Sequence, residues 1–284
     1  WSISSPYNIA SIEAVSLASS GNAFDFGDMT VARRNAGQCS NSSRALLAGG
    51  YDGTNRLNTI DYVTIASTGD GTDFGDRTTI GTAVAGVANA TRGVWHGANT
   101  PSATNIIDYI TIASTGNAVD FGDTTHTNNN NAGFSSPTRG IIGANGPNGD
   151  CDLVTIPTTG NAVDFTSTNR TEVPAAGSNS TRGIFAGGEL QPAGSGTKVI
   201  VFHTIATLGN FTNFGDLTAV RKGAGGMSSS TRFAVGGGSN SSSPNGINVI
   251  DYVSFATQGD AVEFGDLTAA KNPYAGCSNG HGGL

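Results

Sequence analysis

Residues 60–66 (Ile-Asp-Tyr-Val-Thr-Ile-Ala) alternate apolar and polar side chains and are rich in β-branched residues, the pattern of a strand on a pleated sheet. Small turn-forming residues around Gly69 follow, and Asp-Phe-Gly-Asp at 73–76 predicts a second short strand after a hairpin turn. The pattern returns almost unchanged over 107–123 and 250–266, and more loosely over 12–28, 151–167 and 200–216. Its turn glycines (Gly21, Gly69, Gly116, Gly160, Gly209, Gly259) are spaced by 48, 47, 44, 49 and 50 residues, so a unit of about 48 residues occurs six times. Between the copies lies a second block of small residues leading to an arginine, from Ala36-Gly37 to Arg44 in its first occurrence. A short apolar stretch then ends in small residues, as in Leu-Leu-Ala-Gly-Gly at 46–50. Each unit therefore predicts four short strands. One such sheet cannot cover both its faces, but six arranged radially can, with the apolar residues spread over layers between sheets.

The expected fold is all-β: a six-bladed β-propeller of four-stranded blades. It forms one domain over residues 1–284, whether alone or within a longer chain, and a first residue other than Met (Trp1) points to processing or to such a chain. The repeat starts in a third-strand unit near Ile12 and stops in a first-strand unit after Ala275. Ring closure is therefore expected from both ends, residues 275–284 giving one strand and residues 1–6 another. The arginine, the glycine pair, Tyr62, Tyr109 or Tyr252 and then Phe74, Phe121 or Phe264 resemble the kelch-type propeller repeat. Departures occur at Gly97-Ala98 and Gly143-Ala144 in place of the pair, and at Ala14, Leu153 and Phe202 in place of Tyr. The fuller wording, Ile-Asp-Tyr-Val-Thr-Ile-Ala-Ser-Thr-Gly-Asn through Asp-Phe-Gly-Asp-Leu-Thr, resembles repeat proteins of tailed bacteriophages. That resemblance implies a tail or fibre component.

Composition alone would suit a disordered chain: 42 of 284 residues are glycine and only 12% are charged. The repeat changes this, because glycine recurs at hairpin turns, strand-ending pairs and Phe-Gly-Asp corners. A net charge of −7 opposes binding to a nucleic-acid backbone, and no apolar run approaches the ~18 residues of a membrane helix. Of the 21 acids, 15 occupy repeat positions. Arginine forks onto carboxylates, so Arg44, Arg92, Arg139, Arg182 and Arg232 are expected to form structural ion pairs with Asp28, Asp76, Asp123, Asp216 and Asp266.

No catalytic, cofactor or metal site is expected. Asp-Phe-Gly at 25, 73 and 120 recurs as architecture, without the lysine and catalytic loop of a kinase. Cys39, Cys151 and Cys277, and His96, His126, His203 and His281, lack metal spacing, and no Gly-x-Ser-x-Gly elbow is present. Oxygen donors at Asp70 and at 150–152 form no twelve-residue calcium loop closed by Glu. Six Asn-x-Ser/Thr triplets follow from composition. The stretches after the glycine pairs differ between units, are polar, and emerge at one face. Their candidate binding residues are Tyr51, Asp52, Asn55, Arg56, Asn99, Asn105, Asn145, Asn148, Glu189, Gln191, Lys198, Asn240 and Asn245. The function expected is a non-enzymatic virion protein that recognises a host-surface glycan or protein or joins other tail proteins. The alternatives are a secreted or cell-surface bacterial adhesin with an extracellular location and, further off, a propeller glycan hydrolase.

Overall fold

The alternating segments do form strands, and their polar positions are buried as well as their apolar ones. Ile60 and Asp61 are both inaccessible, because each sheet has a neighbouring sheet on either side. A computed structural model describes residues 8–128, 132–145, 149–168, 170–172, 174–190, 195–240, 246–272 and 275–278. It is an all-β propeller of four-stranded antiparallel blades, consistent with kelch-like repeats.

From the inside outwards, blade I consists of Gly37–Ser40, Arg44–Ala48, Thr59–Thr64 and Thr72–Asp76. Blade II is Ala85–Ala88, Arg92–His96, Thr104–Thr111 and Val119–Asn128. Blade III is Ala132–Ser135, Arg139–Asn145, Asp150–Thr155 and Val163–Ser167. Blade IV is Ala175–Ser178, Arg182–Ala186, Ser195–Thr204 and Thr212–Arg221, with a side ribbon of Arg170–Glu172 and Glu189–Leu190. Blade V is Gly225–Ser228, Arg232–Gly236, Ile247–Ser254 and Val262–Lys271.

Five blades are thus four-stranded, not six. The remaining unit is a pair, Ile9–Ala14 with Phe24–Arg33, in the register of a third and fourth strand. Residues 1–6, expected to give a strand, and residues 279–284 lie outside the described residues.

Four kinds of tie recur between neighbouring units. At the centre, Ser135 Oγ donates to the Ala88 carbonyl (2.7 Å), Ser178 Oγ to Ser135 (2.7 Å) and Ser228 Oγ to Ser178 (2.8 Å). Ser278 Oγ donates to Ser228, and Ser40 Oγ to Ser278 (2.6 Å), so residues 275–278 lie between the inner strands of blades V and I. Further out, the second-strand arginine reaches a carbonyl of the following unit. Arg44 donates to Ile112 (2.7 Å), and Arg232 donates to Leu17 (3.0 Å) in the strand pair. Next, the acid ahead of the aromatic accepts from a threonine of the preceding unit: Asp61 from Thr30, Asp108 from Thr78, Asp152 from Thr125, Asp251 from Thr218 and Glu13 from Thr268. At the rim, the turn glycine and the residue two further on donate to the preceding outer strand. Gly116 N–H goes to Phe74 and Ala118 N–H to Asp76, both at 2.7 Å; Gly21 and Ala23 do the same to Phe264 and Asp266.

Buried apolar side chains fill the layers between sheets, as where Leu46, Ile60 and Phe74 of blade I meet Trp95, Ile110 and Ile112 of blade II. The serine circle has one interruption, at Ala88. Ala88→Ser would supply a hydroxyl facing the Ser40 carbonyl. A gain of about 1 kcal/mol, seen as a Tm higher by roughly 2 °C in a thermal melt, is the expected outcome.

Candidate functional site

Hairpin connections alternate ends, so the glycine-pair loops all emerge at the same end of their blades. In blades I, II and V the incoming connector ties them down: Tyr51 bridges Arg34, Asn99 bridges Thr82, and Ser239 bridges Lys222. The loop of blade I is the most richly functionalised. Asp52 accepts from the N–H groups of Asn55 (2.6 Å) and Thr54 (2.7 Å), an Asx turn that holds its carboxyl below the usual carboxylate range. The Arg34 guanidinium lies 4.9 Å from the Tyr51 ring centroid, and Arg56 is half-buried beside them. Arg34 was not legible as a site residue because it lies on the connector, not on the variable loop.

The other candidates divide. Asn55 is exposed, whereas Asn99, Asn240, Asp52 and Tyr51 are half-buried on this face. Asn105, Asn145 and Lys198 belong to strands, and the Asn105 carbonyl accepts from Thr124 Oγ1 (3.1 Å). Glu189 is buried in an ion pair with Lys222, which removes it from the exposed surface of its loop. Asn148, Gln191 and Asn245 lie outside the described residues.

The expected ion pairs of the repeat arginines are corrected by the register. Arg44 pairs across the sheet with Thr64 and Asp76 with Thr59, at opposite ends of one strand, about 17 Å apart at ~3.3 Å per residue. Instead, Arg44, Arg92, Arg182 and Arg232 lie over the aromatic rings of Tyr62, Tyr109, Phe202 and Tyr252 at 4.6, 4.7, 5.2 and 5.0 Å. Arg92, Arg139 and Arg182 also donate to the carbonyls of Ile156, Ile205 and Phe255. The backbone N–H groups of Asp28, Asp76, Asp123, Asp216 and Asp266 donate to the side chains of Asp70, Asn117, Asn161, Asp260 and Asn22 in the next unit. Asp216 forms an exposed pair with Lys198 (3.0 Å).

The buried pairs are others: Arg33–Asp61, Arg77–Asp108 (3.1 Å), Arg221–Asp251 (2.9 Å) and Lys271–Glu13. They use the acid ahead of the aromatic. Three of the four bases, Arg33, Arg221 and Lys271, stand five residues after the Phe-Gly-Asp aspartate, a spacing that could have been found in the sequence. The chain matches no protein-family model and no curated protein sequence.

The axial channel encloses about 90 Å3, and its lining among the described residues is Gly, Ala, Ser and a few uncharged larger side chains, Phe134 and Met227 among them. No group of three or more His, Cys, Asp or Glu side chains among the described residues could hold a metal ion. Asn41, Asn89 and Asn179, three of the Asn-x-Ser/Thr asparagines, cap the inner hairpins and donate through Nδ2 to carbonyls of the following blade.

His96 is fully buried, and burial, reinforced by the Arg77 charge, lowers its pKa to about 3. The unfolded chain, with an ordinary histidine pKa of ~6.5, therefore binds a proton that the folded chain refuses below that pH. Stability is complete above pH 6.5 and falls with acid, by about 2 kcal/mol between pH 6.5 and 5. Urea titrations across that range should show this loss, and His96→Phe should flatten it.

Proposed function

We propose that this chain is a non-enzymatic recognition and assembly module of a tailed-phage virion. In this reading it is a closed, six-bladed, kelch-like propeller that presents its glycine-pair loops to a host-surface glycan or protein and docks on other tail or fibre proteins. One observation carries the reading: recurring residues are committed to ties between units, while the loops at one end vary, that of blade I holding Tyr51, Asp52 and Arg56 with Arg34 of the connector stacked against Tyr51. The phage part rests on the wording of the repeat, and the uncharged channel lining supports a non-enzymatic role. Closure is supported by the strand pair, which makes the same ties to blades V and I as one blade makes to the next, and by Ser278 in the serine circle. Deleting 275–284 should lower the Tm sharply, and an unchanged melt would refute the closed ring.

Recognition is tested by binding the intact chain to arrays of bacterial surface polysaccharides and to whole cells. Tyr51→Ala with Arg56→Ala should weaken binding at least several-fold without shifting the Tm. Binding insensitive to these changes overturns the assignment of the face. Absence of binding to any glycan or cell overturns host recognition and leaves assembly with tail proteins as the role.

A further inference from the structure

Three extended segments run side by side at the glycine-pair end of blade I. Arg34 of the connector bridges Tyr51, and Tyr51 bridges Arg56 of the returning loop, both antiparallel. Arg34 and Tyr51 exchange two backbone hydrogen bonds, at 3.1 and 2.9 Å. The loop itself is closed by Asp52 N–H to the Asn55 carbonyl (3.1 Å) and Leu57 N–H to the Gly50 carbonyl (2.9 Å). Residues directly opposite each other on antiparallel segments project from one face. Arg34, Tyr51 and Arg56 therefore form a single row, about 10 Å across at the usual strand spacing. Tyr51 and Arg56 make the non-hydrogen-bonded kind of pair, in which side chains come closest. From the other neighbour, the Arg34 guanidinium stands 4.9 Å from the Tyr51 ring centroid.

The backbone does not need these side chains. Blade II builds the same ribbon, with Thr82 bridging Asn99 and Asn99 bridging Ala103, so a Thr–Asn–Ala row serves there as well. Every other lysine or arginine whose side chain is described has an acid, a carbonyl oxygen or an aromatic ring as its partner. Arg56 forms no ion pair among the described residues, and its Nε has no hydrogen-bond partner. Asp52, the acid of the same loop, is turned into its own turn by the N–H groups of Thr54 and Asn55. A chain of net charge −7 thus keeps an uncommitted, half-buried guanidinium next to an aromatic ring.

We infer that the Arg34–Tyr51–Arg56 row is a subsite for an acidic sugar, a saccharide residue that carries a carboxylate or a phosphate. The Tyr51 ring offers a flat apolar face to the C–H side of a pyranose, and the Arg56 guanidinium forks onto the anionic group. Thr54 and Asn55, both exposed on the adjoining turn, supply a hydroxyl and an amide for the sugar hydroxyls. A row of this width covers one sugar residue, far short of the ~800 Å2 that each partner of a protein interface buries. The inference rests on the host-recognition reading above and narrows its ligand from glycan or protein to an anionic glycan.

The test measures binding of the intact chain by calorimetry to three probes: an oligogalacturonate, the same oligosaccharide with its carboxyls reduced to alcohols, and a phosphorylated mannan oligosaccharide. At least one anionic probe should bind, less tightly as salt rises, and by about tenfold or more over the reduced probe. Arg56→Gln should cost about tenfold or more and Arg56→Lys less, with the Tm unchanged in both. Asp52→Asn keeps an oxygen for the turn and removes its charge, so affinity should rise roughly twofold. The anionic probe that binds identifies the group as carboxylate or phosphate. Native and reduced probes bound alike, or anionic binding indifferent to Arg56→Gln, overturns the acidic-sugar subsite and leaves host recognition standing. Binding to cells or neutral glycans with none to either anionic probe does the same. Cell binding that is lost on protease treatment of the cells, and kept on periodate oxidation, assigns the face to a protein receptor and overturns the inference. Absence of binding to any glycan or cell overturns host recognition itself, and the subsite with it.

Discussion

Arg221→Met is expected to cost about 3–5 kcal/mol of folding free energy, the range for removing one partner of a buried ion pair. The Arg221 and Asp251 side chains are both fully buried, 2.9 Å apart, and burial pulls the Arg221 pKa down while the Asp251 charge opposes that shift. Arg221 also donates through Nη1 to the Val249 carbonyl (3.1 Å) and the Gly237 carbonyl (3.3 Å), so it fastens the glycine-pair loop of blade V to blade IV. Methionine has comparable length but no donors. It leaves a carboxylate without its counter-charge and the Gly237 carbonyl without the guanidinium donor, while the Val249 carbonyl keeps the Gly237 N–H. The double variant Arg221→Met/Asp251→Val should recover a large part of the loss, because the uncompensated charge is gone. Denaturant unfolding of the two single variants and the double closes the cycle. A single variant within 0.5 kcal/mol of the parent, the usual range for an inconsequential surface change, would show that the pair is dispensable.

The sequence carries a natural counterpart of that double variant. In blade IV the acid position is Val201, which pairs across the sheet with Phe185 as Asp61 pairs with Leu47. On the facing edge of blade III the Phe-Gly-Asp motif is replaced by Phe165-Thr166-Ser167. The acid and the corner glycine are thus lost together. Aromatic packing takes over this seam: Phe165 against His203 at 4.9 Å, His203 against Phe211 at 5.4 Å, and Phe134 against Phe185 at 5.0 Å. At this seam the acid and the corner glycine give way together to apolar contact, while the Ser178 and Arg139 ties remain.

How far the fold was legible follows from the same residues. Strands, turns and the repeat period read directly from alternation and glycine spacing, because each is a local property. The layered core followed from the poverty of any one sheet in apolar residues. What misled was partner choice. Arg44 and Asp76 are near in sequence pattern, yet the antiparallel register sends them to opposite ends of the sheet, and only cross-blade geometry reveals Arg33 beside Asp61. The glycine-pair loops were legible as a place but not as a set of side chains. Glu189 reads as a loop acid, and only the fold brings Lys222 from the neighbouring connector to neutralise it.

Gly75→Ala is expected to destabilise the propeller by about 3 kcal/mol or more, lowering the Tm by roughly 10 °C. Gly75 lies in the outer strand of blade I with φ +143°, a conformation that costs an L residue of order 1–3 kcal/mol. An added Cβ would also stand 2.5 Å from the carbonyl oxygen of Gly116, the turn glycine of blade II. That oxygen cannot withdraw cheaply, because Gly116 N–H is bonded to Phe74 and Ala118 N–H to Asp76, holding the turn against the strand from both sides of the contact. Relief of the clash therefore breaks the rim tie between two blades. Gly122 repeats the arrangement between blades II and III, with φ +146° and a Cβ position 2.6 Å from Gly160, so Gly122→Ala should match it in size. Gly21 is the control: it is a turn glycine with nothing within 4 Å of an added Cβ, and Gly21→Ala should leave the melt within about 0.5 kcal/mol of the parent. Equal melts for Gly75→Ala and Gly21→Ala would mean that the blades are not held at the rim. Blade-to-blade cohesion would then come from the serine, arginine and acid ties and the apolar layers, and the recurrence of glycine between phenylalanine and aspartate would have no steric cause.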